Sequence, residues 1–376
     1  MQIDRKEILL AVHEAWELAQ MQSYPLDIKI KMTQQRIKAF VDEFGERNVR
    51  ISFSGGKDST VLLDIVRKLY PDMKAVYCDT GLEYPEIKEF VRKFDNVDII
   101  RPKMAFKDVV SKYGYPVISK EISYRTHCAR IAMAENRQNW AIKMFNGTYT
   151  YVDKHTGEVL KSDYCCERYN FLLDAPFKLH NKCCYAMKKN PLHDYDKEHD
   201  TYAITGVTAA ESKQRKMQWL KYGCNIFTGN NPISKPLSIW VEQDILRYLY
   251  ENKLPIASVY GDIVYDEKTE KFYTTGCDRT GCMFCGYGAH LDKRPNRFER
   301  LAVSHPPIYD FVMRGGYFAE DGFWKPSQEG LGFWFVFEWL NMHLKKKIVC
   351  PDIEHYIEKY GNEKTAKYLS QDTQAE

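Results

Sequence analysis

Apolar positions along the first hundred residues alternate between a helical and a strand-like period. Residues 4–21 place Leu9, Val12, Trp16 and Ala19 near one face of a helix, with Asp4 as its N-cap. A second helix carries Ile37, Phe40, Val41 and Phe44 at i, i+3, i+4 and i+7. The short run 49–53 reads as a strand ending at Ser54-Gly55-Gly56. Four more segments repeat the theme. Helix 60–69 carries Val61, Leu62, Ile65, Val66 and Leu69; strand 74–79 precedes helix 85–94, which has Pro85 in its first turn; and strand 97–101 follows. Strand–helix alternation of this kind predicts an α/β fold, a parallel sheet covered by helices on both faces.

Later segments add to this frame. A further strand is expected at 202–206 and a helix at 238–252, started by Ser238 and stopped before Pro255. Residues 114–200 read as an insertion, with a hairpin formed by 148–152 and 158–160 around a turn at His155-Thr156-Gly157-Glu158. The stretch 260–290 is loop-rich and holds three cysteines. Beyond 295, Trp324, Phe333, Trp334, Phe335 and Trp339 predict helical packing. The resulting partition is N-terminal helices at 1–45, a nucleotide-binding domain at 46–255 with its insertion at 114–200, a Cys-rich module at 256–294 and a helical region at 295–376.

Composition narrows the class. With 44% hydrophobic and 28% charged residues, the 376-residue chain is that of an ordinary globular protein. No apolar run reaches the length of a membrane span, and the N-terminus is charged, so a cytoplasmic protein with no membrane partner is expected. Eleven cysteines without an export signal point to metal binding or redox chemistry rather than to disulfides. The net charge of +3 neither demands nor excludes nucleic acid.

The chemistry is concentrated at Ser54-Gly55-Gly56-Lys57-Asp58-Ser59. A strand turning through two glycines into a helix brings backbone N–H groups close to an anion and adds the positive end of the helix. Lys57 supplies a charge, and Ser54 and Ser59 supply hydroxyls. Asp58 suits Mg²⁺ binding or fixing of the loop. The spacing matches neither the Walker A pattern nor the G-x-G-x-x-G fingerprint.

The segment 52–59 resembles the PP-loop of the ATP pyrophosphatase superfamily. Asp79-Thr80-Gly81-Leu82-Glu83-Tyr84-Pro85-Glu86 resembles the acidic motif of its phosphoadenosine phosphosulfate (PAPS) reductase branch. Thr205 to Ser212 with Arg215 resembles that branch's G-x-R-x-x-E-S-x-x-R motif, and Pro236-Leu237 with Trp240, Asp244 and Tyr248 resembles the helix that follows. The resemblance implies a Rossmann-like sheet of the PP-loop/HUP type that binds an adenine nucleotide (ATP, APS or PAPS), with Mg²⁺ accompanying ATP. It implies nucleotide contacts from Ser52, Phe53, Ser54, Gly55, Gly56, Lys57, Asp58, Ser59, Asp79, Thr80, Gly81, Gly206, Glu211, Ser212 and Arg215, with Lys57 and Asp58 catalytic. One departure is Val207-Thr208, which leaves out the arginine usual after the glycine.

Cys183-Cys184, followed by Lys188, Pro191 and Leu192, together with Cys282-Met283-Phe284-Cys285, resembles the four ligands of the [4Fe-4S] cluster in adenylyl-sulfate (APS) reductases. Zn²⁺ is the alternative metal, and Cys277 the alternate fourth ligand. Cys128, beside His127 and two arginines, is a candidate reactive thiol. Cys165-Cys166 forms a second vicinal pair, and Cys78, Cys224 and Cys350 read as packing residues. The reductases of this branch carry a C-terminal E-C-G-x-H-like nucleophile, which Lys347-Ile348-Val349-Cys350-Pro351-Asp352 does not reproduce. Sulfur transfer by adenylation of an acceptor with release of pyrophosphate is therefore the expected chemistry. A nucleic-acid acceptor is suggested by Tyr124-Arg125-Thr126-His127 and by 213–221, and a sulfur donor or reductant protein is a further expected partner. The alternatives are a reductase releasing sulfite from APS or PAPS, and a non-catalytic nucleotide-binding regulator.

Overall fold

The strand expected before the glycine turn is β1, Val49–Ser52, and it lies inside a six-stranded sheet. Its companions are β2 (Ala75–Cys78), β3 (Val97–Ile100), β4 (Tyr202–Thr205), β5 (Asn225–Ile226) and β6 (Ile233–Ser234), in the order β3-β2-β1-β4-β6-β5. Every neighbouring pair is parallel except β5 with β6. The computed structural model describes residues 13–153, 156–229 and 231–370. Within them the chain forms two compact units, one within residues 13–102 and 188–281 and one within residues 103–187 and 282–370.

The first unit holds the sheet. Its helices are α1 (Ala15–Ser23), α2 (Leu26–Phe44), α3 (Lys57–Leu69), α4 (Pro85–Val91), α5 (Asn190–His199), α6 (Lys213–Tyr222) and α7 (Glu242–Glu251). Successive residues of β1 point to opposite faces. Phe53, in step with Val49 and Ile51, packs on Phe90 and Phe94 at α4. Arg50 points the other way, is 2% exposed, and pairs with Asp196 of α5 (Nη2 to Oδ2, 2.8 Å). Tyr195 of the same helix donates to Asp98 of β3 (2.6 Å). Helices therefore cover both faces, as the alternation predicted.

Polar bonds tie α2, α3 and α7 into one layer. Tyr248 donates to Asp64 (2.6 Å), and the buried Trp240 indole donates to Thr33 (2.9 Å). The Lys29 ammonium, 2% exposed, reaches Asp244 at 2.6 Å.

Several boundaries differ from expectation. Asp4 lies outside the described residues; α1 starts later, where Glu17 accepts from the Glu14 N–H (2.6 Å), and Trp16 is 64% exposed while Leu18 is buried. Helix α3 begins at Lys57, so Lys57, Asp58 and Ser59 form its first turn rather than a preceding loop. Helix α4 stops at Val91, short of Phe94. Ser238 does not start α7: its hydroxyl bonds back to the Lys235 carbonyl (2.7 Å), and Asp244 instead receives the Val241 N–H (2.8 Å). The stretch expected to be loop contains a hairpin, Ile263–Asp266 with Lys271–Thr274, hidden by its charged turn.

The second unit gathers the aromatic tail. Phe333 to Phe337 are 0% exposed, in a helix apolar on every side (Phe333–His343), and Trp324 and Trp339 are buried as well. Arg130, from helix Lys120–Ala134, donates to the carbonyls of Leu172, Leu173, Ala175 and Phe177. The two chain segments of this unit meet where Val117–Ile118 pairs in parallel with Gly286–Tyr287. The expected hairpin is present as Thr150–Val152 with Val159–Lys161. These units cut across the four-part partition: residues 188–200 of the expected insertion belong with the sheet, and residues 256–294 divide at 281/282. Among the described residues no helix is long and apolar enough to cross a membrane.

Candidate functional site

The end of β1 opens onto a cavity of about 470 Å³ that lies wholly in the first unit. Gly55 makes the turn into α3. Its φ of +70° is the left-handed region, and an added Cβ would lie 2.8 Å from both Ile87 and Val91. Gly206, leaving β4, approaches the same helix start so closely that a Cβ would sit 2.9 Å from the Asp58 carbonyl. Both glycines bring backbone to the helix N-terminus, where the first N–H groups have no intrahelical partner.

The first-turn side chains are held firmly. Ser59 Oγ accepts from the Ser54 N–H (3.2 Å) and donates to the Gly56 carbonyl (2.9 Å), which also receives Thr60 Oγ1 (3.0 Å). Lys57 is 7% exposed and lines the cavity. Its Nζ has no hydrogen-bond partner among the described residues; Glu242 lies 3.5 Å away, and the Tyr260 ring centroid 5.4 Å away. A buried ammonium without an acceptor is costly, and an anion in the cavity would remove that cost.

Asp58 shares the cavity. Burial pushes its carboxyl above the ordinary range, Glu242 adds to the rise, and Lys57, Arg279 and Arg215 pull it back. Arg215 and Arg279 both contact Glu211, and burial followed by the neighbouring Arg279 lowers Arg215. Lys188 pairs with the buried Glu83 (2.8 Å) at the cavity wall. Cations and carboxylates thus line one chamber, which suits a phosphate chain accompanied by Mg²⁺.

The raised Asp58 carboxyl sets a stability signature. Its folded-state pKa lies above the unfolded value, so ionised Asp58 disfavours folding at neutral pH, and the penalty vanishes once the pH falls below the unfolded value of about 3.9. Asp58→Asn should therefore raise the melting temperature of the nucleotide-free protein at pH 7, with the gain closing as the medium is acidified below pH 4. Thermal melts across pH test this; a loss of stability at pH 7 would show that Asp58 is instead held by its cations.

Among the expected nucleotide contacts, Ser52, Ser54, Gly56, Lys57, Asp58, Ser59, Gly206, Glu211 and Arg215 line the cavity. Phe53, Gly55, Asp79, Thr80, Gly81 and Ser212 are not in its lining. Burial pushes Asp79 up, but Lys88 (2.8 Å) and the Gly81 N–H (3.1 Å) outweigh it and hold the carboxyl low. Thr80 is buried, and its hydroxyl donates to Glu83 (2.7 Å), so Glu83 is the member of that motif facing the cavity. Ser212 caps α6 by accepting the Arg215 N–H (3.3 Å). Sequence reasoning missed Glu242, Tyr260, Arg279 and Thr280; Tyr260 and Thr280 share a short hydroxyl contact.

The chain matches the phosphoadenosine phosphosulfate reductase domain over residues 48–148 and 141–287. It belongs to that family. As a PAPS reductase family member of the PP-loop superfamily, it has relatives of several kinds. An uncharacterized protein of Methanocaldococcus jannaschii is 23% identical over 306 residues, 77% of this chain and 54% of that protein. An adenosine 5′-phosphosulfate reductase of Geobacillus kaustophilus is 26% identical over 111 residues, 28% of this chain and 47% of the reductase. Sulfate adenylyltransferase subunit 2 of Rhizobium meliloti is 26% identical over 250 residues, 63% of this chain and 65% of the subunit. The matches span about half to two-thirds of these relatives' length.

Most of the family member's other candidate residues lie in the second unit. Cys183, Cys184, Cys282 and Cys285 all belong to it. Burial, then the neighbouring Cys184, Cys282 and Cys285 thiols, push Cys183 up strongly, while Lys120 opposes. Cys285 is likewise raised by burial and by Cys184, against Arg297 and Lys120. The four thiols thus lie within electrostatic reach of one another, although among the described residues no three His, Cys, Asp or Glu side chains are spaced as a metal site. Their number, convergence and two attendant cations fit an iron–sulfur cluster, whose net charge is negative. Cys277 belongs to the first unit, where it acts on Tyr260. Cys128 lies in the second unit on helix Lys120–Ala134, hydrogen-bonded to Tyr124. Cys350 is buried and raised by burial, then by Glu338 and Glu299, an environment for packing rather than for attack.

Proposed function

We propose that this PAPS reductase family protein is a sulfurtransferase that uses ATP to adenylate an acceptor. The observation that carries it is the buried Lys57 ammonium without a hydrogen-bond partner at the head of α3, in a chamber shared with Arg215 and Arg279. The relation to a sulfate adenylyltransferase subunit supports ATP as the nucleotide. In the first step an acceptor oxygen attacks the α-phosphorus, the bond to the bridging oxygen breaks, and pyrophosphate leaves with the bond's electron pair. Lys57, the α3 N-terminus and Arg215 stabilise the charge gathering on that leaving group. In the second step a sulfur nucleophile attacks the adenylated carbon, and AMP departs with the former acceptor oxygen. Asp58 and Glu242 would hold Mg²⁺ with the triphosphate. Cys183, Cys184, Cys282 and Cys285 would hold a [4Fe-4S] cluster, which when bound supplies a thiophilic iron centre for the sulfur donor; Zn²⁺ is the competing occupant.

The test is anaerobic purification followed by nucleotide assays on one sample. The expected result is a brown, iron-containing protein that converts ATP to AMP and pyrophosphate. Sulfite release from APS or PAPS with a thiol, and no pyrophosphate from ATP, would replace this reading with the reductase. Tight nucleotide binding without turnover in either assay would identify a regulator, and a colourless, iron-free sample would remove the cluster.

A further inference from the structure

Away from the cavity, the second unit holds a group of rings and cations that the proposed adenylation does not use. His127 and His180 meet in a tilted contact, with ring centroids 4.2 Å apart and an interplanar angle of 53°. His180 is 5% exposed and its Nδ1 accepts the Lys182 N–H (3.1 Å), so its proton resides on Nε2 as a donor. Lys112 and Lys182 each place an ammonium 5.3 Å from the Tyr113 ring centroid. The Tyr113 ring in turn meets His180 at 6.1 Å.

The charges around this pair have one sign. Those acting on His127 come from Lys182, Arg130 and Lys178, and those acting on His180 from His127 and Lys182. Arg130 is saturated by four carbonyls, and Lys178 pairs with Asp321 (2.8 Å), which leaves the exposed Lys112 and Lys182 beside the half-buried His127 with no salt bridge to a carboxylate among the described residues. A buried and a half-buried imidazole among cations are a poor arrangement for stability alone.

Beside the cations lie exposed aromatic faces. Tyr124, 42% exposed, approaches His180 at 5.9 Å and Trp140 at 6.3 Å; Trp140 is itself 39% exposed. Cations that take phosphates, next to rings open to stacking, are the two components of a single-stranded nucleic-acid site. We infer that this face, Lys112, Tyr124, His127, Trp140 and Lys182, binds single-stranded nucleic acid, with a base on Tyr124 and Trp140 and a phosphate at His127 and Lys182. As a description of the acceptor this rests on the sulfur-transfer reading above; as a binding surface it stands without it.

The test uses the full chain, purified anaerobically, and fluorescence anisotropy of a labelled oligothymidylate without ATP. Wild type should bind with an affinity that falls steeply with salt. Tyr124→Ala should weaken binding by ~10-fold, the loss of one stacked base, and Tyr124→Phe should retain it. His127→Gln should weaken binding with little change in the salt dependence, because burial and the neighbouring Lys182, Arg130 and Lys178 favour its neutral imidazole. All three variants should keep wild-type melting temperatures. Oligothymidylate binding that Tyr124→Ala and His127→Gln leave unchanged would overturn the assignment. So would binding of inorganic phosphate at this face with no binding of the oligonucleotide. Loss of oligonucleotide binding in the variants of a protein that never turns over ATP would sink the sulfur-transfer reading and leave the surface standing.

Discussion

Lys57→Ala should lower ATP-to-AMP turnover by about 10²–10³ in kcat, the scale for removing one donor to a developing charge. The expected signature is a split between activity and stability. In the nucleotide-free protein Lys57 is 7% exposed and its Nζ has no hydrogen-bond acceptor among the described residues, so removing it relieves an unsatisfied group. Melting temperature should therefore hold or rise while turnover collapses. Pyrophosphate release and thermal melts on the same preparation measure both. Retained turnover would show that the leaving group sits elsewhere, and a large drop in melting temperature would make the lysine structural.

Asp244→Ala should be the most destabilising single change in the first unit, by about 3–5 kcal/mol, the range for stranding a buried charge. Lys29 is 2% exposed, and among the described residues its other acceptor is the Gln22 carbonyl (2.6 Å), so loss of the carboxylate leaves an uncompensated ammonium between α2 and α7. The same carboxylate accepts the Val241 N–H, which adds a helix cap of about 1 kcal/mol to the loss. Replacing both partners, Lys29→Met with Asp244→Leu, should recover most of the difference and leave only the cap unpaid for. Urea unfolding of the three proteins decides it: equal losses in the single and the double variant would mean that the ion pair is not what holds the layer.

The parts of the fold readable in the sequence are those written locally. β1, β2, β3 and α3 come from short apolar runs, a Gly-Gly turn and a helical stripe, each decided within about a dozen residues. The hairpin at 263–274 was not readable because its turn, Asp266 to Lys271, is rich in charge and its strands hold only four residues each. The unit boundaries were not readable either, because they depend on pairings such as Val117 with Gly286 that no local pattern announces. The site divides the same way. Gly55, Gly56 and Lys57 announce an anion turn, whereas Glu242, Tyr260 and Arg279 are single side chains from remote segments. In the acidic motif, spacing alone could not tell Asp79, which is engaged by Lys88, from Glu83, which lines the chamber.

The second unit is assembled from two stretches of chain, and its four convergent cysteines come two from each. During synthesis, Cys183 and Cys184 are made before any of residues 188–281. At bacterial and eukaryotic elongation rates, roughly five to twenty seconds pass before Cys282 and Cys285 follow. A nascent chain therefore displays a vicinal dithiol with no partners, open to oxidation or to a single scavenged metal ion. If these four thiols hold the proposed cluster, its assembly has to wait for translation to pass Cys285.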